Sequence, residues 1–381
     1  MILKTYSYTQ KSWSEPLESK LDSQNTLVVV FASSNVSKIE QPLSEIRNSF
    51  PLATIVGASS SGEIFQNELY DDSLSVAVVQ FERTKLRHNI CQIISSETSY
   101  DDGVNIAKEL MVEDDLRGVF ILSEGLNVNG SQLTEGLSSI IGKGIPITGG
   151  LAGDGDRFEK TWIISNGEPK SDHICAIGFY GEYIHMESSS KGGWDSIGLR
   201  RVVTKSKNNI LYELDNKPAL DIYKKYLGDK ASELPASGLL FPLELKASVD
   251  ATESKIRTIL AIDEEENSIT FAGDLPEGSS VTFMKANFNR LVNGAGEAAE
   301  ELDLSTYSGG DILSIAISCV GRRLVLKSKT EEELDAVLDV LPEATKQIGF
   351  YSYGEISPLA SGKCDLHNQT MTLTLLWEND A

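Results

Sequence analysis

One short turn motif occurs twice in this chain, and the two copies are almost three hundred residues apart. The stretches GASSSGEI (57–64) and GFYSYGEI (349–356) have the same residue at five of their eight positions. Glycines at fixed places in a turn indicate a backbone conformation, or a close approach of the backbone, that other residues disfavour. Because an internal repeat limits the architectures that a chain can adopt, the surroundings of the two turns decide the fold class.

The same order of elements surrounds these two turns and a third, related one. Starting near Asn25, Gly118 and Asp311, the pattern predicts a strand, a helix, a second strand that ends in a glycine-rich turn, and a hairpin. In the third copy the first strand is predicted to cover DILSIAISCVGRRLVL (311–326). A fainter fourth copy is indicated between about residues 218 and 278.

In each of the three clear copies, two glycines five residues apart precede an acidic residue. They are Gly57, Gly62 and Glu63; Gly150, Gly155 and Asp156; and Gly349, Gly354 and Glu355. The helical patterns at 101–112 and 288–302 each precede a copy, so the larger unit is two repeats with a linking helix, made twice. The repeats are too long and too few for a solenoid.

We therefore predict an α+β fold with two mixed α/β domains. Each is built from repeated strand–helix–strand–hairpin units, and the domains are related to each other by pseudo-duplication. A chain of 381 residues is longer than one hydrophobic core usually serves. We place an N-terminal extension at 1–25, a first domain at 26–198 and a second at 199–381.

Composition excludes several classes of function. The chain has 56 acidic and 34 basic side chains, and its formal charge of −22 would repel nucleic acid and an anionic membrane surface. Its four cysteines are scattered, which fits neither a disulfide framework nor a four-thiolate zinc site. No apolar stretch is long enough to span a membrane, and the first residues lack the apolar core of a secretory signal. We expect a soluble, cytoplasmic protein.

The repeated turns are the candidate binding residues, because glycine lets backbone N–H groups approach a ligand. Glu63 and Glu355 could accept hydrogen bonds from a ligand ammonium group, and Arg322 could hold a carboxylate. Together they suit an amino acid. The alternative stays open that each turn merely needs glycine and that the charged side chains lie in water.

Catalysis and metal binding are less well supported. Cys319 and Ser60 are the candidate nucleophiles, but His367 is the only histidine close to a repeated turn, and ASSSG is not a nucleophile elbow. We expect no enzyme activity. Cys364 and His367 have the spacing of a zinc ligand pair without a second pair. A single axial histidine would be enough for haem, and the alternative for His367 is a ring bonded by hairpin backbone.

Five stretches together resemble the FIST family, with its N-terminal and C-terminal halves. They are GASSSGEIF, GGLAGDGDRF, LYELDNKPALDIYKKYLG, SCVGRR and GFYSYGEISP followed by CDLHNQTMTLTLL. The resemblance covers almost the whole chain. The segments 354–358 and 366–371 match the C-terminal signature, and 150–154 matches the N-terminal half.

This resemblance implies a stand-alone sensory protein of signal transduction that binds a small ligand. It would act on a separate partner, such as a histidine kinase, a chemotaxis protein or a cyclic-di-GMP signalling protein. The NosP type of FIST protein, similar in size, binds haem and senses nitric oxide, so haem is the leading ligand, with His367 as the iron ligand. An amino acid or related metabolite is the alternative, and a ligand-free interaction scaffold is a third; a homo-oligomer stays open.

The residues expected to bind the ligand come from the repeated turns and the family signature. They are Ser60, Gly62, Glu63, Gly150, Gly153, Asp154, Cys319, Arg322, Tyr353, Gly354, Glu355 and Asn368. We expect them to line a pocket between the two halves, where the turns face one another.

Overall fold

The structure, a computed structural model, describes residues 1–248 and 250–379. It confirms the α+β class and the strand–helix–strand–hairpin repeat. The first repeat and the strands before it are β1 (Ile2–Thr9), β2 (Ser12–Trp13), β3 (Thr26–Ser33), α1 (Val36–Ser49), β4 (Thr54–Ser60), β5 (Glu63–Phe65), β6 (Glu68–Tyr70), β7 (Leu74–Gln80) and β8 (Lys85–Gln92). β3 and β4 run parallel, joined by α1, and β7 lies antiparallel on the other side of β3.

The second repeat has the same design and begins with an additional helix. Its elements are α2 (Ser99–Leu110), β9 (Leu116–Ser123), α3 (Gly130–Ile141), β10 (Ile147–Leu151), β11 (Ile163–Ser165), β12 (Glu168–Lys170), β13 (His173–Tyr180) and β14 (Ile184–Lys191). Asn129 caps α3 by accepting a hydrogen bond from the Gln132 amide at 3.1 Å, as Asn35 caps α1. Both parallel strand pairs are therefore joined by a helix that an asparagine caps.

A separate sheet, which we call the inserted sheet, follows over residues 194–286. It contains β15 (Trp194–Lys207), β16 (Ile210–Leu214), β17 (Lys217–Pro218), α4 (Ala219–Leu227), β18 (Leu243–Lys246), β19 (Lys255–Arg257), β20 (Ile259–Asp263), β21 (Ser268–Phe271) and β22 (Ser280–Ala286). Its strand pairs, as described, are all antiparallel, so the fainter fourth copy does not share the design of the other three. Its edge strands β19 and β20 are separated in the chain only by Thr258, so the sheet curls round a core closed by α4.

The third repeat completes the chain. Its elements are α5 (Phe288–Glu300), β23 (Ile312–Cys319), α6 (Val320–Leu326), α7 (Thr330–Leu338), β24 (Thr345–Ser352), β25 (Gly354–Pro358), β26 (Cys364–His367) and β27 (Met371–Glu378). The strand predicted over 311–326 ends at Cys319, and its second half is helical. β23 and β24 are the third parallel pair.

The three repeats exchange strands in a cycle. Sheet 1 has the order β12-β11-β4-β3-β7-β1-β2, sheet 2 has β26-β25-β10-β9-β13-β8, and sheet 3 has β14-β27-β23-β24-β5-β6. Each hairpin that follows a parallel pair therefore joins the sheet of another repeat. Each sheet also takes one further strand, β1, β8 or β14, from a different repeat or from the N-terminus. The result is a pseudo-threefold arrangement in which strands from both sides of residue 198 share sheets 2 and 3.

The three sheets pack around one apolar centre. Phe31 of sheet 1, Phe120 of sheet 2 and Ile317 of sheet 3 are all buried in the same cluster. The rings of Phe31 and Phe350 stack with their centroids 4.5 Å apart. The helices cover the outer faces: α1 packs on sheet 1, α2 and α3 on sheet 2, and α5 and α7 on sheet 3. Within the described ranges, no helix combines the length and the apolar character that crossing a membrane requires.

Candidate ligand-binding site

The repeated turns meet on the pseudo-threefold axis. The Gly153 N–H donates to the Ser59 carbonyl at 3.0 Å, and the Ser61 N–H donates to the Tyr351 carbonyl at 2.8 Å. The Tyr353 N–H closes the cycle with a bond of 3.1 Å to the Leu151 carbonyl. The carboxyl ends of the three parallel strand pairs therefore come together, and in open α/β sheets this is the edge where ligands bind.

One glycine in each turn is fixed by the same close approach. A Cβ atom at Gly57, Gly149 or Gly349 would lie 1.9, 1.8 or 1.9 Å from a carbonyl oxygen of the neighbouring parallel strand. The position equivalent to Gly57 is therefore Gly149 and not Gly150, so the predicted alignment through Gly150 and Asp156 is wrong. Steric need at these glycines explains much of the repeated motif.

The acids that follow the first and third turns occupy matching buried sites. Glu63 accepts hydrogen bonds from the Ser73 amide at 2.9 Å and the Ser73 hydroxyl at 2.8 Å, and it also bonds Ser60. Ser60 Oγ in turn accepts from the Gly62 amide at 2.7 Å. Burial raises the pKa of Glu63 to about 8.

Glu355 repeats this arrangement in the third turn. It accepts from the Ser352 hydroxyl at 2.6 Å, the Thr370 hydroxyl at 2.9 Å and the Thr370 amide at 3.2 Å. Burial raises the pKa of Glu355 to about 8 as well. Both carboxyl groups hold the turn to the start of the next strand, and their side chains are 2% and 0% exposed.

Arg322 also makes its contacts inside the protein. Its guanidinium group donates to Glu333 at 3.0 and 2.7 Å, to the Leu291 carbonyl at 2.8 Å, and to the Gly192 and Gln369 carbonyls. All five N–H groups are used. Glu333 is 0% exposed, like Arg322. The ion pair joins α6 to α7, and the bond from Arg322 to the Leu291 carbonyl joins α6 to α5.

Cys319 and Asn368 lie in the same buried region of the third turn. Burial raises the pKa of the Cys319 thiol, which is 3% exposed. Asn368 is fully buried, and both polar atoms of its side-chain amide lack a hydrogen-bond partner among the described residues. Gly354 pairs with Leu151 where β25 meets β10.

Asp154 and Tyr353 join the second turn to the third. Asp154 accepts hydrogen bonds from the Phe158, Glu159 and Lys160 amides at 3.0, 3.0 and 2.9 Å, and the Tyr353 hydroxyl also donates to it. Burial alone would raise the pKa of Asp154, but these donors outweigh it and hold the pKa below its usual value. The loop that they shape places the Phe158 ring on the Tyr353 ring, with centroids 4.5 Å apart.

A cleft of about 510 Å3 opens beside this stacked pair, and we call it the carboxyl-edge cleft. It lies between the carboxyl ends of β9 and β10, the start of α3, and the inserted sheet. It is lined by Ser96, Glu97, Gly125, Leu126, Val128, Asn129, Gln132, Leu151, Phe158, Asn208, Asn209, Leu260, Phe271, Ala272, Gly273 and Tyr353. Phe158 and Leu260 are 44% and 42% exposed, so large apolar side chains face water across its mouth.

Asp274 connects the two walls of the cleft. Its carboxylate accepts from the Asn129 side chain at 3.0 Å and from the Gln132 side chain at 3.0 Å. The carboxylate therefore sits at the N-terminus of α3, where the helix dipole favours a negative charge. Its backbone carbonyl accepts from Arg257 at 3.1 Å. We call this set of contacts the Asp274 latch.

Comparison with known proteins identifies the family. The model of the FIST N domain matches residues 26–217, and the model of the FIST C domain matches residues 219–358. The chain belongs to the FIST family. FIST domains are sensory domains of signal transduction, so the molecule described here is a sensory one.

Two further proteins are similar at a distance. An uncharacterized protein of Methanocaldococcus jannaschii is 24% identical to this FIST chain over 399 residues, an alignment that covers 92% of this chain and 73% of that protein. The crystal structure of a cyanuric acid hydrolase from A. caulinodans covers 78% of this chain and all of its own, with 10% identity. Its TM-score of 0.18 is too low to support any comparison of fold or function.

Of the residues expected to bind a ligand, the FIST structure brings only Tyr353 to the wall of the cleft. Ser60, Gly62 and Glu63 belong to the buried first turn, and Gly150, Gly153 and Asp154 are buried in the second turn. None of these six residues lines the cleft. The sequence reasoning missed Asn129, Gln132, Asn208 and Asn209. A signal was present at Asn129, because an asparagine directly before a helical pattern at the end of a parallel strand is both a cap and an edge residue.

The surroundings of His367 do not fit the haem that the NosP resemblance implies. Its Nε2 lies 3.1 Å from the Ser357 carbonyl, and its side chain is only 7% exposed. Burial lowers the pKa of His367, which keeps the ring neutral. The adjoining groove carries Glu187, Lys191 and other polar side chains on its walls, whereas a porphyrin face needs apolar cover.

Proposed function

We propose that this FIST protein is a cytoplasmic sensor that binds an amino acid or a similar small polar metabolite in the carboxyl-edge cleft. It reports the state of the cleft to a separate signalling protein, such as a histidine kinase, a chemotaxis protein or a cyclic-di-GMP enzyme. One observation carries the proposal: the cleft lies where the carboxyl edge of a parallel strand pair meets a helix N-terminus and a second sheet. Ligand sites concentrate at such junctions.

The lining of the cleft suits a ligand with both charged and apolar parts. Glu97 is exposed at its rim and offers a carboxylate for an ammonium group. Asn129, Gln132 and Asn208 bring amide groups that can donate to a carboxylate or accept from an amine. The stacked rings of Phe158 and Tyr353 offer an apolar face to a side chain.

Sensing requires that the ligand bind two states of the protein with different affinity. A ligand in the cleft touches the second repeat on one side and the inserted sheet on the other. It competes for the side-chain amides of Asn129 and Gln132, which the Asp274 latch holds at 3.0 Å each. Ligand binding therefore changes the free energy of the contact between the second repeat and the inserted sheet. A partner protein that binds across this contact would respond to the change.

Binding without catalysis is the function that the buried groups support. Cys319 and Ser60, the candidate nucleophiles, are 3% and 4% exposed, and neither lines the cleft. A thiol whose pKa is raised by burial is a poor nucleophile near neutral pH. A sensor and a scaffold differ in how they bind their partner protein. A scaffold would bind the partner with the same affinity whether or not the ligand is present.

A thermal-shift screen of the twenty protein amino acids tests the proposal. At a hundred-fold excess over Kd, a ligand stabilises the folded state by about 2.7 kcal/mol, which raises Tm by several degrees. We expect Phe158→Ala and Glu97→Gln each to weaken binding of the best amino acid about five-fold or more, because each removes one contact. Phe288→Ala and Glu113→Gln, outside the cleft, are the matched controls.

The same samples decide between the two ligand hypotheses. Titration with haemin, followed by absorption spectra with and without nitric oxide, tests the haem prediction directly. A stoichiometric Soret band that changes in His367→Ala would favour haem over the metabolite. Failure of every amino acid to raise Tm, or equal losses in the cleft variants and their controls, would contradict the cleft proposal.

A further inference from the structure

The outer strand of sheet 3 has one unpaired edge. β14 (Ile184–Lys191) lies at the end of the sheet and pairs with β27 on one side only, from Ile184 opposite Glu378 to Lys191 opposite Met371. Among the described residues, no backbone group of this strand hydrogen-bonds outside that ladder. An unpaired edge presents a row of N–H and C=O groups that can bind another strand.

A groove of about 770 Å3 runs along this edge. One wall is the unbroken segment 186–194, which is most of β14 and the turn after it. The opposite wall is the segment 252–256 of the inserted sheet, and the ends of sheet 2 contribute 144–146 and 358–360. Because a strand rises about 3.3 Å per residue, β14 offers an edge of about 26 Å.

The groove has an excess of acidic side chains. Lys191 is paired with Glu301 at 2.5 Å, and Lys255 is paired with Asp365. Glu187 and Glu244 line the groove, and neither has a cation within ion-pair distance in the described part of the chain. A cationic side chain placed there would find carboxylates that no cation among the described residues neutralises.

Apolar side chains interrupt the charges. Ile145, Ile256 and Leu359 are half-buried and line the groove, Ile256 from the inserted sheet and Ile145 and Leu359 from the ends of sheet 2. In an added strand, successive side chains would point to opposite faces, so apolar and basic residues in alternation could meet these two kinds of contact.

We propose that this groove binds an extended segment of a partner protein, which adds to β14 as an antiparallel or parallel strand. The segment carries lysine or arginine in alternation with apolar residues. The backbone ladder supplies affinity, and Glu187 and Glu244 select for positive charge. This partner site lies apart from the carboxyl-edge cleft and does not depend on which ligand the cleft binds.

The test uses the full chain, without ligand, and a fluorescent ten-residue peptide of alternating valine and lysine. We expect saturable binding in fluorescence anisotropy. The paired change Glu187→Lys with Glu244→Lys weakens binding about ten-fold or more, which corresponds to about 1.4 kcal/mol. The paired change Glu113→Lys with Glu265→Lys, which alters the charge equally at exposed positions outside the groove, is the control, and Tm confirms that each variant folds.

Two backbone-modified peptides separate strand addition from attraction by charge alone. In one, the odd residues are N-methylated; in the other, the even residues are. Because alternate N–H groups of a strand face the same edge, one version loses binding and the other keeps it. Equal binding of both versions, equal binding of an alternating valine–glutamate peptide, or no saturable binding would overturn the proposal.

Discussion

Glu63 and Glu355 place carboxyl groups where almost no water reaches them. Each accepts hydrogen bonds from a serine before it and from the serine or threonine that begins the next strand. The matching networks explain why the first and third turns share a Ser-x-Gly-Glu pattern. In the second repeat the position equivalent to these two acids is Ile163. Ile163 pairs with the residue that follows Gly57, just as Glu63 and Glu355 pair with the residues that follow Gly349 and Gly149.

The raised pKa values of these carboxyl groups make stability depend on pH. The pKa of each group is about 8 in the folded protein, and its ordinary value of 4.5 applies to the unfolded chain. Between pH 4.5 and about 8 the folded state therefore keeps a proton that the unfolded state has lost. Their contribution to stability is complete below the lower value and is lost as pH rises through the higher one. The free energy of unfolding then falls by up to about 1.4 kcal/mol per pH unit for each group.

Replacement of both groups by glutamine should remove this dependence, because an amide reproduces the neutral carboxyl group. We expect the Glu63→Gln, Glu355→Gln double variant to lose less stability than the unchanged protein between pH 5.5 and 8.0. Urea unfolding, followed by circular dichroism, measures the difference. An identical loss in both proteins would mean that the two carboxyl groups are already ionised at pH 5.5.

The parallel pairs of strands are the elements that position the site. Each pair ends on the pseudo-threefold axis because a glycine lets the second strand approach the first, and Gly349 lies opposite Ala316 in this way. The repeat and its turn were predictable, since periodicity and glycine spacing are local signals. The exchange of hairpins between sheets was not, because three sheets of the same design offer nearly equivalent edges and the local pattern does not choose among them.

Gly349→Ala tests the steric role of the repeated glycine. A Cβ atom there would lie 1.9 Å from the Ala316 carbonyl oxygen, so one strand must move. Changes that overpack a core typically cost about 1–3 kcal/mol, and we expect the upper part of that range or more, because the obstacle is backbone. Gly296→Ala, within α5, has its nearest contact at 3.3 Å and is the control. A similar Tm for both variants would contradict the assignment.

The helix α6 lies where the sequence pattern predicted the second half of a strand. Apolar residues recur throughout 311–326, and a short segment of this kind does not distinguish a strand from a buried helix. The structure changes from β23 to α6 at Val320, directly before the Arg322 side chain that reaches Glu333. That buried ion pair joins two consecutive helices, and the local pattern does not show that the Arg322 side chain turns inward to Glu333.

The described part of the molecule consists of three repeats that exchange strands and of the inserted sheet, which contacts the second and the third repeat. Because the repeats share strands, they form one body, whereas the inserted sheet contributes the other wall of the cleft. The Asp274 latch joins the two through hydrogen bonds to Asn129 and Gln132, for which the ligand competes under the proposed function. The residues of the turns were found from the sequence, but most of the cleft was not, since its second wall comes from the inserted sheet, a separate segment of the chain.

Hydrogen exchange measured by mass spectrometry, with and without a mixture of the twenty protein amino acids, tests whether a ligand binds in the carboxyl-edge cleft. We expect slower exchange in two separate segments, 124–132 at the start of α3 and 269–275 in the inserted sheet, because a ligand in the cleft would contact both. Protection confined to other segments, such as 186–194 or 364–370, or no change in exchange anywhere, would contradict it.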